Sequence, residues 1–471
     1  MLIKHKFNKN ILRAYDIRGI VGENLKEKDA FMLGYFYCLF LKEKIGDNAV
    51  PKIIVSRDGR ISSPSLEKNL IDGLLKAGAS VISIGMNPTP TLYFSNQYFN
   101  SDGAIQVTGS HNPKSYNGFK MIMQNKSFFG RDIIKLSEFA EKGSEKSYSG
   151  AFKLLNIEDK YIKEVLKPLE KYSNFKKLSE KKIIWDCGNG ATGNIIKKLI
   201  SKLPGQHSIL YSKIDGTFPN HHPDPTQEKN LVELKRQVKK NRATLGIAFD
   251  GDGDRIGVID KNGNLLPGDL LTAFLCQSIE QKNKTIILDV KSSLIPINFI
   301  KQLGLNVDIW KTGHSHIKSR ISEIGAALAG EMSGHIFFKD KYFGYDDAIY
   351  TGIRILELMH LGYDITTFYN NLKQSFTTPE IKVECSDDKK FIVIRNIIEK
   401  LKIKYKKENI LLIDGVRINT LLGWYLIRAS NTENAIIIRV EAQRDSDKMS
   451  LLNEVIELLK EQGLNLDFED E

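Results

Sequence analysis

Residues 245–259 read LGIAFDGDGDRIGVI, and the fold class follows from how that stretch is built. An apolar run, LGIAF, enters a loop in which Asp250, Asp252 and Asp254 alternate with glycines, and a second apolar run, IGVI, leaves it. Apolar runs this short read as buried strands, and loops at strand ends are where α/β sheets bind ligands. Three carboxylates at this spacing repel one another strongly unless a cation sits between them. Ligands that are all oxygen suit a hard ion such as Mg²⁺, and the glycines let the backbone curl around it. An EF-hand loop needs Gly at its sixth position and Glu at its twelfth; Arg255 and Lys261 stand there instead, which excludes it. The apolar runs on both sides also argue against a simple solvated acidic turn.

The same design occurs twice more. AIQV at 104–107 runs into TGSHNP at 108–113, and AALA at 326–329 runs into GEMSGH at 330–335. In the first, the hydroxyl of Ser110 is a weak nucleophile that can carry a phosphoryl group where charge is managed, and His111 can hold or shuttle a proton. Taken alone, TGSHNP is a polar turn broken at Asn112–Pro113. The second offers Glu331, Ser333 and His335, and a carboxylate and a hydroxyl near a strand end can accept and donate hydrogen bonds to sugar hydroxyls. A fourth loop, RASNTEN at 428–434, follows the strand-like GWYLI; Arg428 with successive hydroxyl and amide side chains makes an anion nest. Arg18 in AYDIRG, Lys120 in NGFK, Lys291 after TIILDV and His314 in KTGHS add cationic or titratable groups near these loops. Each of them, in isolation, is an ordinary surface charge or a satisfied polar residue.

Between these loops, short β-branched runs alternate with helical patterns, which indicates α/β units. Strands are predicted at 52–56, 81–84, 182–186 and 285–290, and amphipathic helices at 65–77, 231–241 and 346–360. The 471 residues suggest three or four domains. Breaks near 154, 264 and 374 divide the chain into 1–154, 155–263, 264–374 and 375–471. The last piece carries strand-like runs at 410–413, 424–428 and 435–440 and a helical pattern at 449–462, a smaller α+β domain.

The surplus of Lys and Arg over Asp and Glu, +11, favours anionic partners. The basic residues are scattered and form no run or arm, which argues against a nucleic-acid footprint. No apolar stretch reaches the ~20 residues of a membrane span, and the first ten residues lack the apolar run of a signal peptide. Cys38, Cys187, Cys276 and Cys385 form no CxxC pair and fit a reducing compartment; a cytoplasmic protein is expected.

In this order and at about this spacing, AYDIRG, TGSHNP, NGFK, DGDGDR, KTGHS, GEMSGH and RASNT resemble the α-D-phosphohexomutase superfamily along essentially the whole chain. The resemblance implies three α/β domains with mixed sheets and a C-terminal α+β domain of TATA-box-binding-protein-like fold around a central cleft. It implies that Ser110 carries the phosphoryl group, and that Asp250, Asp252 and Asp254 bind Mg²⁺ together with a Ser110 phosphate oxygen. Glu331 and Ser333 would grip sugar hydroxyls, and Arg428, Ser430, Asn431 and Thr432 the non-reacting phosphate. Arg18, Lys120, Lys291, His314 and His335 would line the reaction centre, with Tyr15 and Arg255 in the same cleft. Glu-Met-Ser at 331–333 resembles the phosphomannomutase/phosphoglucomutase branch. Asn434, where relatives commonly have Pro, and His316, where an apolar residue is expected, depart from the pattern.

The implied activity is reversible interconversion of hexose 1-phosphate and hexose 6-phosphate, of mannose or glucose, with hexose 1,6-bisphosphate as intermediate and activator. Lys120 and His314 are both candidates for the base. A phosphoglucosamine mutase and an inactive sugar-phosphate-binding protein are the alternatives. No nucleic-acid or membrane partner is expected, and the chain is expected to be a monomer or weak homo-oligomer.

Overall fold

The computed structural model describes residues 2–372, 375–430 and 434–466, without the side chain of Asp387. Four sheets follow one another along the chain. The first has seven strands, with Gly103–Val107 near its centre. That strand runs parallel to Lys52–Arg57 and antiparallel to Tyr116–Met123, so the sheet is mixed. The second sheet is built around Leu245–Phe249, parallel to Lys182–Asp186 and antiparallel to Ile256–Asp260. The third orders Asn306–Trp310, Thr285–Asp289, Leu328–Gly330 and Ile336–Phe338, the last pair antiparallel. All pairings of the fourth are antiparallel.

Gly103–Val107, Leu245–Phe249 and Leu328–Gly330 are buried at every position, as strands covered on both faces should be. Each ends at one of the polar loops picked out above. The strands at 182–186 and 245–249 lie where predicted, and the others differ by one or two residues at their ends. The helix predicted at 346–360 is Ala348–Leu361, because the side chain of Asp347 accepts the Tyr350 N–H at 2.8 Å and caps it from outside. That leaves Asp346 free of the helix.

One continuous apolar core runs through the first three sheets. Leu92, Tyr93 and Phe94 of the helix Thr89–Tyr98 share it with Tyr161 and Ile162, Trp185 and Ile247, and Ile349 and Ile353. The outer face of the first sheet has its own core against the helices Glu27–Ile45, Ser63–Lys76 and Arg131–Lys142. The fourth sheet buries Tyr425, Ile427, Ile436, Ile438 and Val440 beneath the helices Asp387–Lys404 and Asp445–Lys460. Strand alternation then turns Trp424, Leu426 and Arg428 to the opposite face. There Trp424 and Leu426 pack on Val290, which follows the strand Thr285–Asp289 of the third sheet.

All four cysteines are buried free thiols. Among the described residues no helix is long and apolar enough to cross a membrane.

Candidate active site

The loop after Gly103–Val107 and the loop after Leu245–Phe249 touch. A Cβ on Gly251 would lie 2.5 Å from the Ser110 carbonyl oxygen, so the two loops close on each other only because that residue is Gly. Ser110 is buried and has a positive φ of 50°, a left-handed turn uncommon outside Gly and Asn. Its Oγ donates to Asp250 Oδ2 at 3.0 Å and lies 3.1 Å from His111 Nδ1.

Asp250, Asp252 and Asp254 are all fully buried, and one oxygen from each lies within 4.8 Å of the others. Asp250 Oδ1 accepts the N–H groups of Gly253, Asp254 and Arg255 at 2.9–3.2 Å, so the loop wraps its own first carboxylate. Burial, then the charges of Asp252 and Asp254, push the Asp250 carboxyl well above the usual carboxylate range. Asp252 Oδ1 and Asp254 Oδ1 are buried without a hydrogen-bond partner. Unpaired buried carboxylate oxygens are costly, and a hard divalent cation satisfies them. The donor set therefore fits Mg²⁺.

Lys120 joins this cluster from the strand Tyr116–Met123. Phe119, Met121 and Met123 face the outer core, so Lys120 must point the other way. Its ammonium donates to Asp252 at 2.7 Å and to Asp254. Burial alone would lower its pKa; Asp252 and Asp254 outweigh burial and raise it. Arg18 pairs across the ladder with Gly118 and shares that inward face. It bonds Asp16 and the amide oxygen of Asn112. Thr89, at the start of its helix, donates to the Asp252 carboxylate, and its N–H to the Asp252 carbonyl at 2.8 Å.

The third domain adds a second polar group. Arg255 Nε donates to His335 Nε2 at 2.8 Å, and His335 Nδ1 lies 3.1 Å from Asp346 Oδ2. The arrangement puts the His335 proton on Nδ1 and engages both nitrogens, so His335 is a linker rather than a free ligand. His314 stacks on it at 5.4 Å between ring centroids. His314 Nδ1 lies 3.1 Å from Lys318 Nζ, which also reaches Asp346 at 2.8 Å and the Tyr93 hydroxyl at 3.0 Å. Burial, then Lys318 and Lys120, hold His314 well below the ordinary imidazole pKa. Lys318, Asp346 and Thr89 were not singled out in the sequence, and no local motif marks them.

Glu331 is buried and accepts the Gly313 N–H of the KTGHS loop. Burial, reinforced by Asp289, pushes its carboxyl up to about 8. Ser333 is half-buried in the same loop. Tyr15 donates to the Thr312 carbonyl at 3.0 Å. His316, the departure noted above, presents its ring to Tyr15 at 5.6 Å and to Phe129 at 5.0 Å. It therefore fills an aromatic joint between the first and third domains.

From the fourth domain, Arg428 makes a double ion pair with Asp414, Nε and Nη2 each at 3.0 Å. The Ser430 carbonyl accepts from Lys390 Nζ at 2.6 Å. Asn431 and Thr432 lie outside the described residues. The Asn434 carbonyl accepts the Cys385 N–H at 2.9 Å. Lys291 bonds Glu380 at 2.8 Å, and its carbonyl accepts from Arg439 at 3.0 Å. Lys291 thus joins the third domain to the fourth.

Models of phosphoglucomutase/phosphomannomutase α/β/α domains I, II and III match residues 9–146, 159–263 and 267–376, and that of the family's C-terminal domain matches 380–458. The chain belongs to the phosphoglucomutase/phosphomannomutase family, within the α-D-phosphohexomutases. It is 38% identical over 445 residues to a phosphomannomutase/phosphoglucomutase of Pseudomonas aeruginosa, covering 93% of each chain. It is also 38% identical over 444 residues to a phosphoglucomutase of Neisseria meningitidis serogroup A, covering 92% of this chain and 93% of that one. The crystal structure of a family member from Burkholderia thailandensis superposes with a TM-score of 0.89 at 34% identity, covering 98% of this chain and all of that one. The protein is therefore a phosphohexomutase, an enzyme of the isomerase class that moves a phosphoryl group within a sugar.

Proposed function

We propose that this phosphohexomutase interconverts the 1- and 6-phosphates of glucose and mannose through a phosphoserine at Ser110. The observation that supports it most is the placement of Ser110 Oγ 3.0 Å from Asp250, beside two buried carboxylate oxygens without partners. A sugar-phosphate-binding protein without activity has no use for this arrangement. Met332, between Glu331 and Ser333, favours the glucose/mannose branch over a phosphoglucosamine mutase.

In the first transfer, the free hydroxyl oxygen of a hexose monophosphate bonds to the phosphorus on Ser110. The bond from phosphorus to Oγ breaks, and the hydroxyl proton passes to a base. The bisphosphate so formed turns end for end; Ser110 Oγ bonds to the other phosphorus, the bond from that phosphorus to the sugar oxygen breaks, and the base returns its proton to that oxygen. Mg²⁺ held by Asp250, Asp252, Asp254 and a phosphoserine oxygen would neutralise charge on the moving group. Arg18, Lys120 and Arg255 add positive charge around it. Lys120, held by two carboxylates, acts as a fixed cation; His314, neutral and buried, is the better group to exchange a proton. His335 and Lys318 hold His314 in place.

Glu331 and Ser333 take sugar hydroxyls. Arg428, Ser430, Asn431 and Thr432 hold the phosphate that is not reacting, with Lys291 and Tyr15 at the edge of the same cleft. Hexose 1,6-bisphosphate would serve as activator by phosphorylating Ser110. The four buried free thiols agree with a reducing, cytoplasmic setting. The test is a coupled mutase assay, primed with bisphosphate, on glucose, mannose and glucosamine 1-phosphates. Turnover of glucose and mannose phosphates well above glucosamine phosphate is expected. A preference for glucosamine phosphate contradicts the assignment.

A further inference from the structure

The loop that carries Ser110 is held from behind by one side chain that is not part of the cleft. Arg60 is buried, with 1% of its surface exposed. Its Nη2 donates to the carbonyls of Ser110 at 2.7 Å and Asn112 at 2.6 Å. Its Nη1 donates to the carbonyls of Pro113 at 2.7 Å and Tyr116 at 3.0 Å. Three carbonyls of the loop and that of Tyr116, where the next strand begins, thus converge on one guanidinium, whose planar fork holds the donors in fixed directions. Phe218 of the second domain covers the group at 5.2 Å.

The N–H side of the same loop is held by the partner of Arg60. Asp58 Oδ2 lies 3.2 Å from Arg60 Nε and accepts the Thr108 hydroxyl at 2.8 Å and the Gly109 N–H at 3.2 Å. Thr108 Oγ1 in turn accepts the Ser110 N–H at 2.9 Å. The pair therefore controls the peptide groups on both sides of Ser110, the residue with the left-handed turn. Non-Gly residues hold that backbone only where surrounding structure enforces it. Gly109 completes the fit: a Cβ there would meet Arg60 Nε at 2.5 Å and the Tyr116 carbonyl at 2.7 Å.

Resting on the reading of Ser110 as phosphoryl carrier, we propose that Arg60, oriented by Asp58, is the positioning residue that aims Ser110 Oγ at the aspartate triplet. Its hydrogen bonds and ion pair go to backbone carbonyls within 110–116 and to Asp58, not to the aspartate triplet. It fixes where the phosphoryl group sits when it leaves and returns.

Arg60→Lys keeps the charge and loses the fork. Mislocating a reacting atom by about 1 Å can cost about 10²-fold in rate. Turnover should therefore fall by about 10²-fold, while KM for the hexose phosphate changes by less than about threefold. Labelling of Ser110 by hexose 1,6-bisphosphate should slow in parallel, with Mg²⁺ affinity unchanged. A merely structural residue would lower the folded fraction and leave turnover per folded molecule alone. If Arg60→Lys keeps turnover within about twofold of wild type, the proposal is overturned. If that variant does not fold, Asp58→Asn is measured in the same way: it keeps the shape beside Arg60 Nε and removes the charge that orients the guanidinium. The same fall in turnover supports the proposal, and turnover within about twofold of wild type overturns it. Wild-type enzyme that takes up no label on Ser110 overturns the carrier reading itself, which separates the two failures.

Discussion

The centre around Ser110 and the fourth domain meet the same cleft in opposite ways. Around Ser110, groups from different domains interlock below the surface: Ser110 on Asp250, Lys120 on Asp252 and Asp254, Thr89 on Asp252. That network lies beside a core continuous through three sheets. The fourth domain has a core of its own. It joins the third through a small apolar seam of Val290, Trp424 and Leu426 and through polar contacts. Arg417 donates to the carbonyls of Val290 and Ser292 at 2.8 and 2.7 Å, and Ser293 donates to Glu441 at 2.6 Å. Beside that seam the two domains leave a cavity of about 1120 Å³. The Ser110 centre is built into an interlocked block, and the fourth domain, with its proposed phosphate grip, has a core of its own and is set against that block.

Changes in the block should therefore cost turnover, and changes in the fourth domain should cost binding. The largest effect is expected from Asp252→Asn, which removes a charge from the triplet: turnover should fall by orders of magnitude and Mg²⁺ affinity with it. Titration calorimetry and activity across Mg²⁺ concentrations check this; full activity in excess chelator sinks the metal assignment. Next comes Arg428→Ala. A charge-assisted contact to the distal phosphate is worth roughly 1.5–3 kcal/mol, so KM should rise by about 10- to 150-fold with a smaller fall in turnover. A turnover defect at unchanged KM would place Arg428 with the block instead.

Arg417→Met leaves two buried carbonyls without a donor, at a cost of about 1–3 kcal/mol. The loss should appear as a separate, earlier unfolding of the fourth domain by calorimetry, with the first three domains unaffected. A single transition shifted as a whole would show that the seam is stronger than its contacts suggest.

The smallest effect concerns pH. Burial and Asp289 hold the Glu331 carboxyl up at about 8. As pH rises through that value Glu331 becomes a carboxylate, which accepts a sugar hydroxyl more strongly, so KM should fall a few-fold. The sign for stability is opposite. The folded state holds a proton that the unfolded chain releases near the ordinary carboxylate range, so stability declines as pH climbs from there to about 8. Glu331→Gln should flatten both dependences, read from KM and thermal melting between neutral and alkaline pH. Wild-type profiles already flat there would refute a raised carboxyl.

The same division marks what could be read from the sequence. The strand at 245–249 and its aspartate loop were legible because strand, glycines and carboxylates lie within one local stretch. The strand predicted at 326–329 is Leu328–Gly330, since pairing with both neighbours starts only at Leu328. Partners that act from a distance were not legible. Arg60, in the turn RDGR, looks like a surface charge, and its contacts lie 50–56 residues away. Lys318 and Asp346 sit at unmarked positions on or beside helices, and only folding brings them to His314 and His335. A motif records the residues that share a loop, not those that hold it.

The central claim is that Ser110 carries the phosphoryl group. Wild-type enzyme is incubated with hexose 1,6-bisphosphate and Mg²⁺, and the modified residue is mapped by mass spectrometry, with Ser110→Ala alongside. The account predicts one phosphoryl group, on Ser110, and in the alanine variant no label and only slow residual turnover with an intact fold. A stable phosphoryl group on another residue, or near-normal turnover by Ser110→Ala, would contradict it.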